Sequence, residues 1–559
     1  MSAAKRAGRG LAARATSLLD AAFLTQADDT PAITYIATDA EPVVLTRSEL
    51  DTQTSTYAAG LAALGIRPGD LILIAHTQNL ESICLFWAAI RQGAIPSMFP
   101  TLTEKLDPDV YMRDMATLVA NSNVRAVFTT DEFAPTLQVA LSCEVFGTAD
   151  IPTDVNSAAD DSLPADSTSV AFLQHSSGTT GLQKGVALSH AAALNQLASY
   201  SESIDLQPKS DVIVSWLPLY HDMGLIAGFL LPLVQGVPLV LMSPFDWVRR
   251  PALLLRAITE YNGTLCWLPN FAYNHMARRI RSRDLDGIDL ESMRMFVNCS
   301  EPVYAESHAL FVEKFADNGL TPQMLGVSYA MAENTFAVTQ TPPGSAAQSD
   351  TIDPMILAEE QRAIPMAEGR TFVSCGQPIE GTQVRVLDEG GIPLPERQVG
   401  QIAVKSNCML SAYYERPDLD PFTEDSWYLT GDMGYVDLGE VYVIGRQKDL
   451  IINAGKNVYP QDIEAIVNTV SGIKPGRAVA FGVPDEREGT ELIAVVAEVT
   501  AADIDERGRI KRAVRQAVAS QSTVTVNYVS LVDEKWLLKT SSGKLARAAN
   551  REKWLNERP

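Results

Sequence analysis

Short runs of consecutive apolar residues alternate along most of the chain with longer stretches whose apolar residues recur at helical spacing. Leu71–His76, Arg125–Thr130, Val170–His175, Val212–Leu217 and Met293–Asn298 have the length and uniform hydrophobicity of strands buried on both faces. Between them, Glu81–Gln92, Val110–Asn121, Pro251–Tyr261 and Tyr304–Asp317 carry helical patterns. Such alternation predicts α/β layers with mostly parallel sheets. From Thr382 to Ile444 the rhythm changes. The strands Thr382–Asp388, Gln401–Lys405 and Glu440–Ile444 are separated by turns alone, which predicts a small antiparallel or barrel-like unit. After Gly445 the sequence turns charged, Arg446-Gln-Lys-Asp449, and a fresh α+β pattern begins. Pro460–Thr469 reads as a helix and Arg477–Val483 and Glu491–Val499 as strands, while Ile510, Val514 and Val518 share one helix face. The boundary at 445–449 divides the chain into a large unit, 1–445, and a small one, 446–559. No internal repeat is present.

Composition narrows the class. The 559 residues are 46% hydrophobic and 20% charged, which suits a large folded core and excludes global disorder. With 45 Lys+Arg against 68 Asp+Glu, the net charge of −23 argues against a general nucleic-acid binder. The six cysteines form no CxxC pair and none stands beside a histidine at ligand spacing, so a disulfide framework or zinc site is not expected; free thiols fit a reducing, cytoplasmic setting. Two segments invite misreading. The first nineteen residues lack acids and carry Lys5, Arg6, Arg9 and Arg14, but they have no apolar signal core and read as a frayed terminus. Met223–Met242 is long enough to span a bilayer, yet Gly224, Gly228, Pro232, Gly236 and Pro238 interrupt it. A buried helix, a turn and the strand Val237–Met242 fit better, so no integral membrane protein is expected.

The most informative segment is Ser176-Ser-Gly-Thr-Thr-Gly-Leu-Gln-Lys-Gly185, between the strand Val170–His175 and a helix starting near Ser189-His190. Glycines allow close backbone approach, hydroxyls and N–H groups donate, and Lys184 adds charge, a combination suited to phosphate. It lacks the GxxxxGK[ST] pattern, and a glycine-rich loop by itself is also an ordinary turn. Other candidates are weaker one by one. His221 within Trp216-Leu-Pro-Leu-Tyr-His-Asp-Met-Gly224 could be a satisfied core histidine. Tyr329 and Glu333 are four residues apart, a common spacing. Asp432 in Tyr428-Leu-Thr-Gly-Asp432 reads as a turn aspartate. Lys544 ends the surface-like loop Lys539-Thr-Ser-Ser-Gly-Lys544.

The order of these segments is specific. Ser-Gly-Thr-Thr-Gly with Lys-Gly, then Tyr-xxx-Glu, Thr-Gly-Asp, Gly-Arg-x-Lys-Asp and a near-terminal Thr-Ser-Ser-Gly-Lys resembles the adenylate-forming superfamily of acyl-CoA synthetases, luciferases and peptide-synthetase adenylation domains. The resemblance runs from about Leu18 to Trp554. Leu217–Ile226, Pro269-Asn-Phe-Ala-Tyr273, Val373-Ser-Cys-Gly376 and the run Gly445–Glu464 resemble one branch, the fatty acyl-AMP ligases, and Thr341–Thr371 looks like that branch's extra segment.

The resemblance implies a large domain of two α/β layered subdomains and a small β-barrel-like one, followed by a mobile α+β domain. It implies Mg²⁺ and ATP, a carboxylic acid made into an acyl-adenylate, and transfer to the phosphopantetheine thiol of an acyl-carrier protein or to CoA. By motif match, Ser176, Ser177, Gly178, Thr179, Thr180, Gly181 and Lys184 would hold phosphates. Ser300, Glu301 and Pro302 would line the base and Tyr329 would stack on it. Glu333, with Thr179, would coordinate the metal, and Asp432 and Arg446 would bind ribose. Lys544 would bridge the acyl carboxylate and α-phosphate, with His221 beside that carboxylate, and Lys448 would be the hinge. Trp267, Leu268, Asn270 and Phe271 would line the acyl pocket, where long-chain relatives often carry paired glycines before Pro-Asn-Phe. Gln183 before Lys184, Ala330 after Tyr329 and Ala332 before Glu333 depart from common family residues; none removes a charged group. A non-catalytic nucleotide-binding protein on the same fold is the alternative of another class, and the retained Lys184, Glu333, Asp432, Arg446 and Lys544 argue against it. A dinucleotide oxidoreductase lacks its GxGxxG fingerprint.

Overall fold

The computed structural model describes residues 12–24, 29–103, 108–155, 166–175, 184–453, 456–485, 490–500, 503–522, 524–540 and 544–557. The apolar runs assemble into two seven-stranded sheets. One orders, edge to edge, Leu325–Ser328, Met295–Cys299, Leu265–Leu268, Ile213–Ser215, Leu239–Met242, Pro31–Ile36 and Val43–Thr46. Its strands are parallel except the last, which pairs antiparallel with Pro31–Ile36. The other orders Ala412–Tyr413, Gly185–Ser189, Val170–His175, Ile95–Met98, Leu71–Ile74, Ala126–Thr129 and Glu144–Gly147. Its first two junctions are antiparallel and the rest parallel.

Apolar side chains join the layers. The helix Leu80–Arg91 is buried from Ser82 to Arg91, as its nearly unbroken apolar sequence requires, and a reciprocal cap between Asn79 and Ser82 fixes its start. Its Phe86 meets Phe172 of the second sheet and Phe229, with ring centroids 6.0 and 5.9 Å away. Phe229 belongs to Met223–Leu230, the predicted buried helix, which is wound as a π-helix before Leu231–Gln235, left-handed Gly236 (φ 77°) and the strand Leu239–Met242. Among the described residues no helix is long and apolar enough to cross a membrane.

The Thr382–Ile444 region forms a four-stranded antiparallel sheet of Thr382–Leu387, Gly400–Ser406, Tyr428–Asp437 and Glu440–Arg446. Beyond it, Ile473–Asp485, Thr490–Val499 and Tyr528–Val532 form a three-stranded sheet. The helices Pro460–Asn468 and Ile504–Gln521 cover it, and Val467, Ile493, Val495, Ile510, Val514 and Val518 make a separate core. The fold is α/β throughout the large part, with a small α+β unit at the C-terminal end.

The structure corrects two local expectations. Part of the N-terminal stretch is packed rather than frayed. Ala12, Leu18, Ala21, Ala22 and Phe23 are in the main core, and the Leu18 N–H donates to His190 Nδ1 at 3.3 Å. Small alanines gave no periodic signal, although they fit tightly between larger partners. Asp432 lies in the strand Tyr428–Asp437 rather than in a turn, because Thr430-Gly431 bulges within a continuing ladder.

Candidate active site

Ser176, Ser177, Gly178, Thr179, Thr180 and Gly181 lie outside the described residues, but their flanks are informative. His175 pairs with Gly185, so the segment connects two antiparallel strands. The helix His190–Ser203 begins only after Gly185–Ser189, capped by the Ser189 hydroxyl on the Ala192 N–H. The expected strand–loop–helix is therefore corrected: the next described element after the segment is a strand, and the helix comes after it. Lys184 directly precedes the second strand. Its Nζ lies 4.8 Å from the Tyr413 ring centroid, a cation–π contact made because Ala412–Tyr413 pairs with Gly185–Ser189. The Tyr413 hydroxyl donates to Glu333 Oε1 at 3.1 Å and shares a 3.0 Å bond with the Tyr428 hydroxyl. One tyrosine thus couples Lys184 to Glu333.

Glu333 leads into a constrained stretch of chain. Two residues on, Thr335 adopts φ 62° and ψ −51°, and the Phe336 N–H bonds the Asn334 carbonyl at 2.6 Å, the geometry of a strained γ-turn. Its hydroxyl donates to the Cys408 carbonyl at 2.7 Å, anchoring the turn.

Tyr329, Asp432 and Arg446 form a second group. In the ladder with Gly400–Ser406, Gln401 faces Met433 but Ala403 faces Leu429, so two extra residues bulge beside Ile402. Gly431 takes φ 72° there, and the Thr430 hydroxyl donates to the Ile402 carbonyl and accepts the Asp432 N–H. The bulge aims Asp432 at its partners. Across the next ladder it faces Arg446, whose Nε is 2.8 Å from Oδ1, while the Tyr329 hydroxyl donates to Oδ2 at 2.5 Å. Burial, followed by the adjacent carboxylate, holds the Tyr329 phenol well above its ordinary pKa.

The third group joins the two ends of the molecule. His221 Nδ1 is 2.6 Å from Asp222 Oδ1, which also accepts the Met223 N–H at 2.7 Å. Burial alone would raise the Asp222 carboxyl. The charge and hydrogen bond of His221, the charge of Lys544 and the Met223 N–H outweigh it and hold Asp222 below the usual carboxylate range. The field of Lys544 also reaches the buried Cys299 thiol. Lys544 of the C-terminal unit is therefore near enough for its charge to act on Asp222 and Cys299. Ser300, the residue after Cys299, takes φ 71° in the left-handed region. Glu301 accepts the Phe271 N–H at 2.9 Å and Pro302 is exposed.

Arg446 leads into a turn, Gln447–Asp449. Burial, then the neighbouring Arg446, depress the Lys448 ammonium, with Lys184 adding to the effect. Asp449 pairs with Arg547 at 2.5 Å, and Arg547 also grips Glu464 at 2.8 Å. Lys184, Arg446 and Lys448 thus bring positive charge together in a protein whose net charge is −23.

The residues expected around the acyl chain divide between the interior and the surface. Trp267 is 1% exposed in a central strand, its indole N–H donating to the Tyr200 hydroxyl at 2.8 Å; that hydroxyl donates to Gln340 at 2.7 Å. Leu268 is buried. The Asn270 amide bonds Ser307 and Asn298 inside the protein. Phe271 is 41% exposed and packs edge-on against Trp216 and Trp247. Conversely, Tyr413, Arg547 and the full engagement of Asp222 had no distinct sequence signal beyond the His-Asp juxtaposition.

Known proteins resemble the chain in sequence and in overall fold. A family model described as AMP-binding enzyme covers residues 21–414. A long-chain fatty-acid AMP ligase of Mycobacterium marinum is 31% identical, over 95% of this chain and 96% of its own. A 4-hydroxyphenylalkanoate adenylyltransferase of Mycobacterium tuberculosis is also 31% identical, over 87% of this chain and 83% of its own. A solved structure from studies of fatty acyl-adenylate ligases of E. coli and L. pneumophila superposes with a TM-score of 0.89 at 28% identity, covering 97% of this chain and 98% of that one. With most of its length matched both in sequence and in fold, the chain belongs to the AMP-binding enzyme family.

Proposed function

We propose that the protein uses ATP to convert a carboxylic acid, of the fatty or arylalkanoic kind, into an acyl-adenylate, and passes the acyl group to the phosphopantetheine thiol of a carrier protein. The observation that carries this reading is the pair of bonded groups Lys184–Tyr413–Glu333 and Tyr329–Asp432–Arg446, with the charge of Lys544 acting on Asp222 beside His221. In the first step a carboxylate oxygen attacks the α-phosphorus and the bond to the bridging oxygen of pyrophosphate breaks. Both reactants are anions, so positioning and positive charge dominate catalysis. Lys544 stabilises the charge developing between carboxylate and α-phosphate. Lys184 and the segment 176–181 hold the outer phosphates, Asp432 and Arg446 the ribose, and Tyr329 with Ser300, Glu301 and Pro302 the base. In the second step the thiol sulfur attacks the acyl carbonyl, its proton leaves to solvent, and AMP departs.

Glu333 suits Mg²⁺ bound chiefly through ATP. It is a hard carboxylate with one oxygen held by Tyr413, and among the described residues there is no cluster of three or more ligating side chains that would form an all-protein cage. Thr179 would add a hydroxyl. The ion would draw charge from the phosphates; the chain's own part is to orient them.

We take the division at 445–446 and a hinge at Lys448 as the device that exchanges the two steps. The acceptor reading rests on the segment 341–371. It contains the strand Ser349–Ile352 and the helix Pro354–Glu360, and it ties into the C-terminal unit through Glu359–Lys456 at 3.0 Å and an Arg370–Asp462 ion pair. Such ties restrain the domain swing that free CoA would need. The six free cysteines agree with a cytoplasmic site of action. The test is ATP with a panel of straight-chain and arylalkanoic acids, scored for pyrophosphate and for thioester on CoA and on holo acyl-carrier protein. Efficient acyl-CoA formation with none on the carrier would reverse the acceptor assignment; no acid-dependent pyrophosphate would reject the activity.

A further inference from the structure

The chain has 68 acidic residues against 45 basic ones, yet one face beside the site is basic and apolar. Two helices build it. On Pro244–Arg249 the spacing places Phe245, Val248 and Arg249 on one side; on Asn270–Arg279, Phe271, His275, Arg278 and Arg279 form one stripe. His275 Nε2 lies 3.3 Å from the Val248 carbonyl and its ring 5.4 Å from Trp247, which sets the two helices side by side. Phe245, Val248 and Phe271 are 41%, 37% and 41% exposed. Arg249, Arg278 and Arg279 are exposed and make no ion pair among the described residues.

The base of this face is rigid. Trp216 and Trp247 stack beneath it with centroids 3.6 Å apart and planes 6° from parallel, and Phe271 leans on both. The face also adjoins the site, because the Phe271 N–H is bonded to Glu301, the neighbour of Ser300.

We infer that this two-helix face is a docking surface for an acidic protein partner, the carrier that presents the acceptor thiol. The inference rests on the acceptor reading above. Charge complementarity is its main support. The rest of the chain is strongly negative and repels an acidic partner, so three unpaired guanidiniums beside the site would steer its approach to one place. Their planar forks fit carboxylates, and the partly exposed Phe245, Val248 and Phe271 offer the apolar centre that a specific interface needs. On this face Phe245, Val248 and Phe271 are each less than half exposed, unlike a membrane wedge that stands clear of the surface, which favours a protein over a lipid surface.

The test compares the unaltered full-length protein with an Arg249→Ala/Arg278→Ala/Arg279→Ala variant. Probes are a holo acyl-carrier protein, free pantetheine and phosphatidylglycerol vesicles. Acid-dependent pyrophosphate release without acceptor and transfer to pantetheine should stay unchanged, which also verifies folding. The carrier concentration for half-maximal transfer should rise about tenfold at low salt, and the difference should shrink as salt screens the arginines. Equal carrier transfer by the two proteins overturns the docking site and leaves the acceptor reading intact. If the unaltered protein favours pantetheine over the carrier, both fall. Vesicle binding lost in the variant with carrier kinetics unchanged assigns the face to a membrane and overturns the proposal.

Discussion

Tyr329 separates two explanations of one residue. If its aromatic face alone matters, Tyr329→Phe changes nothing of consequence. The structure adds a 2.5 Å bond from its hydroxyl to Asp432 Oδ2, with both residues buried. A hydrogen bond to a charged group contributes about 1.5–3 kcal/mol, and about 1.4 kcal/mol corresponds to a factor of ten. Arg446 still holds the other Asp432 oxygen at 2.8 Å, so the carboxylate does not become an unpaired buried charge, and the lower end of that range applies. ATP–pyrophosphate exchange should therefore show KM for ATP raised about tenfold in Tyr329→Phe, with kcat changed less than about threefold. Asp432→Asn should cost more, since it removes the charge that pairs with Arg446. A Tyr329→Phe protein with unaltered KM would refute the claim that this bond orients Asp432 for the nucleotide.

Lys544→Ala should slow acid-dependent pyrophosphate release by about 10²–10³-fold, the usual cost of one transition-state charge partner, and affect thioester formation from preformed acyl-adenylate far less; equal losses would remove its assigned role. Lys448→Pro, which fixes φ at the hinge, should adenylate normally and fail in transfer, and an unimpaired overall rate would exclude a swing about this residue. Arg370→Ala breaks the tie to Asp462 and the cation–π contact with Phe372 at 4.2 Å, so amide exchange in Pro460–Asn468 should quicken and CoA should become a better acceptor. Trp267→Phe should cost about 1 kcal/mol through the lost Tyr200 bond, whereas Trp267→Ala, at about 3–5 kcal/mol, should open space and shift the acid profile towards longer chains; an unchanged profile in a folded protein makes Trp267 a core residue only.

The large architecture was legible because burial writes itself into the sequence. Val170–His175 is a strand with the bounds its apolar run predicts, and Ile510, Val514 and Val518 are buried together as their spacing requires. The order of the chemical motifs was equally legible, since anion binding demands particular residue types in each segment. What the sequence alone could not show is where those segments meet. Tyr413 joins Lys184 to Glu333 only because a two-residue strand pairs with Gly185–Ser189, and two residues carry no periodicity. Asp432 looked like a turn residue because Thr430-Gly431 has turn composition, while the flanking ladders continue past the bulge and aim the carboxylate at Tyr329. Motif match assigns Phe271 to the acyl pocket, and only the tertiary structure shows its ring edge-on against Trp216 and Trp247. Local pattern determines what a segment becomes, because period and composition act within a few residues; contacts between residues about 100 or more positions apart, such as Tyr329 with Asp432 or Tyr200 with Gln340, are decided by the packing of whole layers.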